Sequence, residues 1–274
     1  MRVILSRKGF DSAAGGCPSP LIDGRPLSLP IPTGMPTRTR FGDLADCTAE
    51  LVEQLTNGRF LSESMCHLDP DLHAPTLTRQ AGWRGALGQV AAAQGHLRMN
   101  GVTAGDLFLF WGLFRPAVCD RTWRFDGPPE HRIFGWLQVD VVLNVGSDSA
   151  AVLAHYPWLS DHPHTQGDWP SSNTIYIACE RLRLNGCDTD WPGWGLFRRG
   201  HRLTVKGAQR VSQWQTPDWL NPRQGGVGMT YHPLHRWNED GTVTCAARGQ
   251  EFVADIGTRP DAIAWLLQLF RDEV

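Results

Sequence analysis

Apolar residues are grouped along the chain in runs and alternations that predict more strands than helices. Residues 2–5 contain the short apolar run "VIL" and are predicted to form a buried first strand. Two longer runs, "GVTAGDLFLFWGLFR" and "HRIFGWLQVDVVL", are rich in strand-forming residues and flank the turn-rich "CDRTWRFDGPPEH", so together they predict a long hairpin. Shorter strands are predicted at "NTIYIACERL", "GHRLTVKG" and "GQEFVADI".

Three stretches instead carry apolar residues at helical spacing. They are "DLADCTAELVEQLTNG", which ends at a helix stop signal, "GWRGALGQVAAAQGHLRMNG", and "DAIAWLLQLFRDEV", with Ile263, Leu266, Leu267 and Phe270 on its apolar side. Residues 15–36 are crowded with Pro and Gly, which predicts a long loop before the first helix. Because the strands are not separated by regular helical crossovers, the pattern predicts an α+β fold with a mixed or largely antiparallel sheet and flanking helices.

Composition bounds the class of protein. A length of 274 residues with 41% hydrophobic residues is sufficient for one large domain or for two small ones around separate cores, and we predict a single domain over 1–274. Lys plus Arg number 26 and Asp plus Glu number 28, so the formal charge of −2 excludes a generally basic mode of nucleic-acid binding and requires any anion site to be a local patch. Twelve tryptophans are many for this length, and the late cluster fits either a buried core or stacking against bases. That cluster comprises Trp158, Trp169, Trp191, Trp194, Trp214, Trp219 and Trp237.

The cysteines and the apolar runs indicate a cellular compartment. Seven cysteines are odd in number and form no C-x-x-C pair, which argues against a disulfide framework and against a cysteine zinc ribbon. No run approaches the roughly 18 apolar residues of a membrane span, and the initial "VIL" is too short for a signal peptide. We therefore expect reduced thiols and a cytoplasmic protein with no membrane partner. The cysteines are Cys17, Cys47, Cys66, Cys119, Cys179, Cys187 and Cys245.

The segment "HLDPDLH" places ionisable side chains at alternate positions, His67, Asp69, Asp71 and His73. Alternate residues of an extended segment face the same side, and Pro70 favours an extended conformation at Asp69. Two carboxylates and two imidazoles suit a metal site or acid/base chemistry. The alternative is a loop whose aspartates cap the helix that follows.

A second pair of histidines, His162 and His164, stands at alternate positions around a proline in "SDHPHTQGDWPSSN". Two histidines need further ligands to hold a metal, and His67 and Asp69 are the natural candidates to supply them. The predicted metal ligands are therefore His67, His162 and His164. The cofactor that they would bind is a divalent metal ion, whose identity the sequence does not specify.

The segment "SRKGFDS" follows the first predicted strand and raises the question of why Arg7, Lys8 and Asp11 stand together. Arg and Lys are the two phosphate-binding side chains, whereas an exposed charged turn is the ordinary alternative. In "RGQEFV", Glu251 is expected to face the Arg7 side of the sheet and to orient Arg7 or an imidazole. The candidate substrate-binding residues are Arg7, Lys8, Ser12, Ser19, Arg115 and Asn173, and the candidate catalytic residues are Asp11, His67, Asp69, Asp71, His164 and Glu251.

Several standard motifs are missing from the sequence. It contains no G-x-x-x-x-G-K-[ST], no strand-linked G-x-G-x-x-G, no G-x-S-x-G, no H-E-x-x-H and no P-C-x-x-C. These absences argue against P-loop ATPases, dinucleotide oxidoreductases, ordinary esterases, zincins and zinc deaminases.

Several segments together resemble a known bacterial family. They are "ILSRKGFDS", "GGCPSP", "LSLPIP", "HLDPDL", "GDLFLF", "FGWLQV", "HPH" and "GQEF", and they resemble the nucleotide modification associated domain 3 family over almost the whole chain. Because that family is associated with DNA-modification systems, the resemblance implies work on modified bases or nucleotides, with DNA, nucleotides and other DNA-modification proteins as partners. It assigns no role to any residue.

The predicted hairpin carries a separate resemblance. Residues 101–145 resemble the hairpin of PUA-like, EVE and ASCH barrels, which hold modified bases or RNA. In this resemblance Gly105 and Asp106 form the entry turn, and Gly135 permits close backbone approach. The long insertion from Pro116 to Glu130 departs from that pattern.

Two functions of different classes follow. The first is an enzyme acting on a nucleobase or nucleotide, with the His/Asp groups doing chemistry and Arg7 and Lys8 gripping a phosphate. The second is a reader that binds a modified base in DNA or RNA and performs no chemistry. Because the ionisable groups are more distinctive than the aromatic ones, we favour the enzyme. We also expect the segments of Arg7, His67 and His164 to meet in one pocket.

Overall fold

The computed structural model describes residues 1–35, 37–45 and 49–274. The helices in these residues are α1 (Ala49–Leu55), α2 (Ala91–Met99), α3 (Ala150–His155) and α4 (Pro260–Glu273). The strands are β1 (Arg2–Arg7), β2 (Ser19–Ile22), β3 (Arg25–Pro26), β4 (Ile31–Pro32), β5 (Cys66–His67), β6 (Ala86–Gln89), β7 (Leu107–Cys119), β8 (Trp123–Phe125), β9 (Glu130–Asn144), β10 (Thr174–Ala178), β11 (Arg181–Leu184), β12 (Cys187–Pro192), β13 (Trp194–Arg202), β14 (Gln213–Gln215), β15 (Thr242–Thr244) and β16 (Glu251–Asp255).

A mixed ten-stranded sheet forms the centre of the molecule. Its main path runs β16, β1, β7, β9, β10, β6, while β2, β3, β8 and β13 pair alongside. Strand β1 is parallel to β7 and antiparallel to β16, and β7 and β9 form the predicted long antiparallel hairpin. The remaining strands form two-stranded ladders. The α+β class with a mixed sheet is confirmed.

The sheet curls so that its two ends approach each other. Leu87 of β6 and Val253 of β16 belong to one apolar core on the inner face, although their strands lie at opposite ends of the path. The side-chain amide of Gln89 donates a hydrogen bond to Oε1 of Glu251 across the gap. Among the described residues no backbone ladder joins β6 to β16. The sheet therefore does not close into a barrel such as the PUA-like barrels that the hairpin resembles.

The outer face of the sheet is covered by α4 and by aromatic side chains. Helix α4 buries Ile263, Leu266 and Phe270 in this outer core, as the apolar spacing predicts, whereas Leu267 is only partly buried. The outer core also confirms the buried interpretation for several late tryptophans, which are Trp214, Trp219 and Trp237.

Contacts with neighbouring strands fix the β7–β9 hairpin at its entry turn and at Gly135. Asp106 accepts hydrogen bonds from the backbone N–H groups of Arg2 and Thr103, which ties the entry turn to β1. A Cβ at Gly135 would lie 2.8 Å from the carbonyl oxygen of Gly195, so β13 requires a glycine there. Both features match the roles expected from the sequence.

The predicted helix over "GWRGALGQVAAAQGHLRMNG" is wrong in its first half. Residues Ala86–Gln89 form a fully buried strand paired with β10, and the helix begins only at Ala91. The spacing of Trp83 and Leu87 fits a helix, but pairing at the edge of a sheet buries the segment on both sides and overrides that local pattern.

Other elements differ from the sequence prediction in extent. The loop of residues 15–36 contains three short strands, β2, β3 and β4, and the strand predicted at "GHRLTVKG" lies earlier, at β13. Helix α3 and strands β11, β12, β14 and β15 were not predicted as separate elements. Cys47 lies outside the described residues, and Cys17, Cys119, Cys179, Cys187 and Cys245 are free thiols. In the part of the chain that the structure describes, no helix combines the length and apolar character that crossing a membrane requires.

Candidate functional site

A cleft of about 430 Å³ opens where the two ends of the curled sheet approach each other. One side comes from the end of β1, the loop after it and the residue before β16, and the other from the end of β6. The segments around β4, β5 and the second histidine pair complete it. The lining residues are Arg7, Lys8, Gly9, Asp11, Ala13, Ala14, Ile31, Thr33, Met35, His67, Asp69, Gly88, Gln89, Val90, His164, Trp169 and Gln250. The expectation that the three predicted segments meet in one pocket is therefore confirmed.

His67, Asp69 and His164 converge in this cleft. One nitrogen of each imidazole and one oxygen of the carboxylate all lie within 4.8 Å of one another. Nε2 of His67 is 3.9 Å from Oδ2 of Asp69, and the two imidazole ring centres are 5.2 Å apart. The three side chains can therefore act on the same bound atom.

The positions of His67 and Asp69 follow from two backbone pairings. Strand β5 pairs with β4, which places His67 opposite Ile31 on the cleft side. The backbone N–H of Gly88, in β6, donates to Oδ1 of Asp69 at 2.7 Å. The edge strand thereby holds the Asp69 carboxylate in place.

His164 is fixed in one tautomer by Asn173. The Nδ2 group of Asn173 donates to the carbonyl oxygens of His164 and Gly146, so its Oδ1 must be the acceptor. Nδ1 of His164 lies 2.7 Å from that oxygen and therefore carries the proton. Nε2 of His164 is left with its lone pair available. The ring is also stacked on Trp169, with ring centres 4.3 Å apart and planes 9° apart.

His162 supports Asp69 and does not line the cleft. Its Nδ1 accepts the backbone N–H of His164 at 3.2 Å, so Nε2 carries the proton. That Nε2 is buried and lies 3.5 Å from Oδ1 of Asp69, longer than an ordinary hydrogen bond. The sequence predicted an extended H-x-H pair, whereas His162 precedes a 3-10 turn over Pro163–Thr165 that directs the two rings differently.

Burial sets the charge state of the three converging groups. Burial lowers the pKa of His67 to about 4, against an opposing effect of Asp69, and lowers the pKa of His164 to about 3. Burial alone would raise the pKa of Asp69, but the N–H of His162 and the charge of Lys8 outweigh it and hold the pKa of that carboxyl well below its usual value. At neutral pH the site therefore holds two neutral imidazoles and one carboxylate.

Lys8 and Glu251 form a buried polar group beside the converging histidines. Oε1 of Glu251 accepts from Ser6 at 3.0 Å and lies 3.4 Å from Nζ of Lys8, while Oε2 is buried with no hydrogen-bond partner. Burial raises the pKa of Glu251, and the charge of Lys8 opposes that shift. Glu251 thus faces the inner side of the sheet as expected, but its basic partner is Lys8 and not Arg7.

Arg7 is held at the mouth of the cleft by Asp11. Its guanidinium pairs with Oδ2 of Asp11, and its side chain is about one-third exposed. Oδ1 of Asp11 accepts the backbone N–H groups of Ala13 and Ala14, which shapes the loop after β1. The geometry makes Asp11 a loop organiser and a partner of Arg7.

Four other predicted residues lie away from the cleft lining. Asp71 forms a bidentate pair with Arg79 at 2.6 and 2.7 Å, where burial raises its pKa and Arg79 opposes that effect. The hydroxyl of Ser19 is buried and accepts the backbone N–H of Leu29. Arg115 donates to the carbonyl of Gly127, and Ser12 is exposed on the loop after β1.

Sequence reasoning missed several residues of the cleft. Gly88 and Gln89 fell within the wrongly predicted part of a helix, so no signal directed attention to them. Gln250 was assigned to the opposite face from Glu251, but it precedes β16 and also lines the cleft. Trp169 follows the second histidine pair closely in "HPHTQGDW", and that proximity was a usable signal.

A sequence profile of one family, nucleotide modification associated domain 3, matches residues 2–255. The chain belongs to this family. The matched region includes every segment that lines the cleft, and it ends at the last residue of β16, before α4. No curated protein and no solved structure matches the chain. The family name associates the protein with nucleotide modification.

Proposed function

We propose that this protein is an enzyme that modifies a nucleobase or nucleotide bound in the cleft. One observation carries the proposal, namely that His67, Asp69 and His164 converge in a cleft that also presents Arg7 and Lys8. A volume of about 430 Å³ falls within the range of pockets that bind small molecules. Membership of the family supports nucleotides as the substrate class.

The basic edge suits a phosphate group. Among the described residues the Arg7 guanidinium makes one hydrogen bond, to Asp11, whereas a guanidinium has five N–H donors. Lys8 contributes a nearby positive charge on the same side of the cleft. A phosphate oxygen at this edge would be held as a charge-assisted partner of Arg7.

Another part of the cleft lining suits a flat ring. The stacked pair of His164 and Trp169 lines the cleft together with the apolar side chains of Ile31 and Val90. Nucleobases stack favourably on aromatic side chains, and such contacts tolerate different bases. A base on this wall would lie close to the Nε2 lone pair of His164 and to the Asp69 carboxylate, the groups placed to act on it.

A nucleotide-conversion assay tests the proposal. The protein, in buffer with divalent metal ions, is incubated with nucleoside 5′-phosphates and with single- and double-stranded DNA, and the nucleosides recovered after digestion are weighed by mass spectrometry. We expect a mass change in at least one substrate and its loss in Asp69→Asn. No mass change with any of these substrates would contradict the enzyme proposal.

Nucleotide binding tests the basic edge separately. We expect the Arg7→Ala/Lys8→Ala variant to bind nucleotide at least about tenfold more weakly than the wild type, with a reduced dependence on salt because fewer phosphate contacts remain. The matched control is Lys206→Ala/Arg210→Ala, which removes an exposed Lys and Arg outside the cleft. Equal affinity of the cleft variant and the wild type at two salt concentrations would contradict the phosphate grip.

The reader of a modified base is the second candidate, and the His164–Trp169 stack is the observation that favours it. A reader needs aromatic surfaces and hydrogen bonds but no reactive groups. One measurement distinguishes the two functions. A reader would bind a base-modified oligonucleotide without changing the mass of the oligonucleotide, and the wild type and Asp69→Asn would give the same result.

A further inference from the structure

Asp69 is a buried negative charge without a cationic side chain beside it. Two neighbouring carboxylates already have such partners, Asp11 of the cleft with Arg7 and Glu251 beside the cleft with Lys8. Within the described part of the chain, no Lys or Arg nitrogen lies within 4.0 Å of the Asp69 carboxylate, whose side chain is only 5% exposed. A buried carboxylate is costly unless a cation or several hydrogen bonds compensate it. Asp69 has one ordinary hydrogen bond, from Gly88, a longer contact with Nε2 of His162, and the charge of Lys8 at more than 4.0 Å.

The histidines beside Asp69 are arranged as metal ligands commonly are. Oδ1 of Asn173 accepts a hydrogen bond from Nδ1–H of His164, which keeps the proton on Nδ1 and the lone pair on Nε2. Ligating histidines usually have such a partner on the second nitrogen, which fixes the ring and raises its basicity. His162, which does not line the cleft, directs its Nε2 towards Asp69 and supports the carboxylate in the same way.

We propose that His67, Asp69 and His164 bind one divalent first-row transition-metal ion. The set of two imidazoles and one carboxylate is the ligand set of mononuclear zinc and non-haem iron sites, and it leaves coordination positions open to the cleft. Ligand atoms around such an ion lie about 3.4 Å apart, so atoms now within 4.8 Å need to approach by at most about 1.4 Å, which side-chain torsions allow. The ion would change the local charge from −1 at Asp69 to +1, which would attract an anionic ligand.

The chemistry of the ligands sets the metal class. Mg²⁺ and Ca²⁺ prefer all-oxygen ligand sets, and two of the three ligands here are imidazole nitrogens. Zn²⁺ and Co²⁺ are therefore suitable probes, whereas Mg²⁺ is the discriminating control. The metal site does not depend on the proposed substrate.

Metal titration of the chelator-treated full-length protein tests the inference. By calorimetry and by the visible absorption of Co²⁺ we expect about one ion bound per chain, with no competition from equimolar Mg²⁺. Asp69→Asn, which keeps the side-chain shape and the acceptor for Gly88, is expected to weaken binding by about 100-fold or more, and Asn173→Ala by about 10-fold. His235→Ala removes an exposed histidine outside the cleft and is expected to bind as the wild type does.

Unchanged metal affinity in folded Asp69→Asn, or an absence of Zn²⁺ binding by the wild type, would overturn the inference. If a variant fails to fold by circular dichroism, anomalous diffraction from wild-type crystals soaked in Zn²⁺ decides the question. A peak bonded to His67, Asp69 and His164 would support the site, and a peak only elsewhere would overturn it. If the wild type binds the metal but converts no nucleotide, the metal site is supported and the proposed enzymatic function is contradicted.

Discussion

Gly88 shows how one residue without a side chain can determine the site. Its N–H holds the Asp69 carboxylate, and the His164 ring lies directly over its α-carbon. A Cβ built at Gly88 would lie 2.1 Å from Cδ2 of His164, well inside the van der Waals limit. The atom that would clash belongs to a ring stacked on Trp169 and fixed by Asn173, so the ring cannot easily move away.

We therefore expect Gly88→Ala to displace the His164 ring and to weaken ligand or metal binding in the cleft by about tenfold or more, as loss of ligand geometry commonly does. The measurement is Zn²⁺ or nucleotide affinity by calorimetry. Gly95→Ala is the matched control, because a Cβ there meets nothing within 4 Å, and in helix α2 the substitution should stabilise the fold by about 0.5–1 kcal/mol. Equal affinities in both variants would show that the contact with Gly88 is unimportant.

Strand β16 separates two kinds of chemistry on its two faces. Glu251 and Val253 face the inner side, where Glu251 meets Lys8 and Gln89. Phe252 faces the outer core, among the late tryptophans and α4. Because successive residues of a strand point to opposite faces, a single strand can supply both a site and a core.

We expect Glu251→Gln to lower the free energy of unfolding by about 3 kcal/mol, because the buried Lys8 ammonium loses its charged partner. The double variant Glu251→Gln/Lys8→Met should lose less than the sum of the two single variants, since it leaves no unpaired charge. Urea unfolding measures both effects, and Glu239→Gln, on an exposed glutamate, is the control. Strict additivity of the single variants would mean that the two side chains do not stabilise each other.

At the scale of the whole molecule, buried neutral histidines make stability depend on pH. Outside the proposed metal site, burial lowers the pKa of both His131 and His232 from 6.5 to about 4. Both nitrogens of His232 are used in the neutral form, since Nδ1 lies 2.9 Å from the Thr230 carbonyl and Nε2 accepts from Ala246. Between pH 6.5 and about 4 the unfolded chain binds protons that the folded chain does not, so acid favours unfolding.

We predict that the free energy of unfolding decreases as the pH falls from 6.5 to about 4, and that these two histidines add no further loss below that range. His232→Gln should be less stable at pH 7, but it should lose about 1 kcal/mol less per pH unit between pH 5.5 and 4.5 than the wild type. Urea unfolding across this range measures the slope, with the exposed His155→Gln as the control. The same slope in His232→Gln and the wild type would exclude His232 as a cause.

Local pattern alone was sufficient for the elements whose burial follows their own sequence. The alternation and strand propensity of β1, the β7–β9 hairpin and β16 predicted them correctly, and the apolar stripe of α4 did so as well, because each buries a face that its own residues define. The segment before α2 could not be predicted in this way. Its conformation depends on β10, a partner more than 80 residues away, and pairing with it outweighs a helical spacing.

The sequence by itself determined the α+β class, the family and which segments carry ionisable side chains. It left open whether those segments meet, because nothing local specifies that a six-strand path curls until β6 and β16 approach each other. Only the tertiary structure placed Gly88 and Gln89 in the cleft, paired Asp71 with Arg79 away from it, and put Asp69 in place of His162 among the converging groups. The reason is physical: alternation fixes the face of a strand on which a side chain lies, whereas distances between faces are fixed by the packing of the shared core.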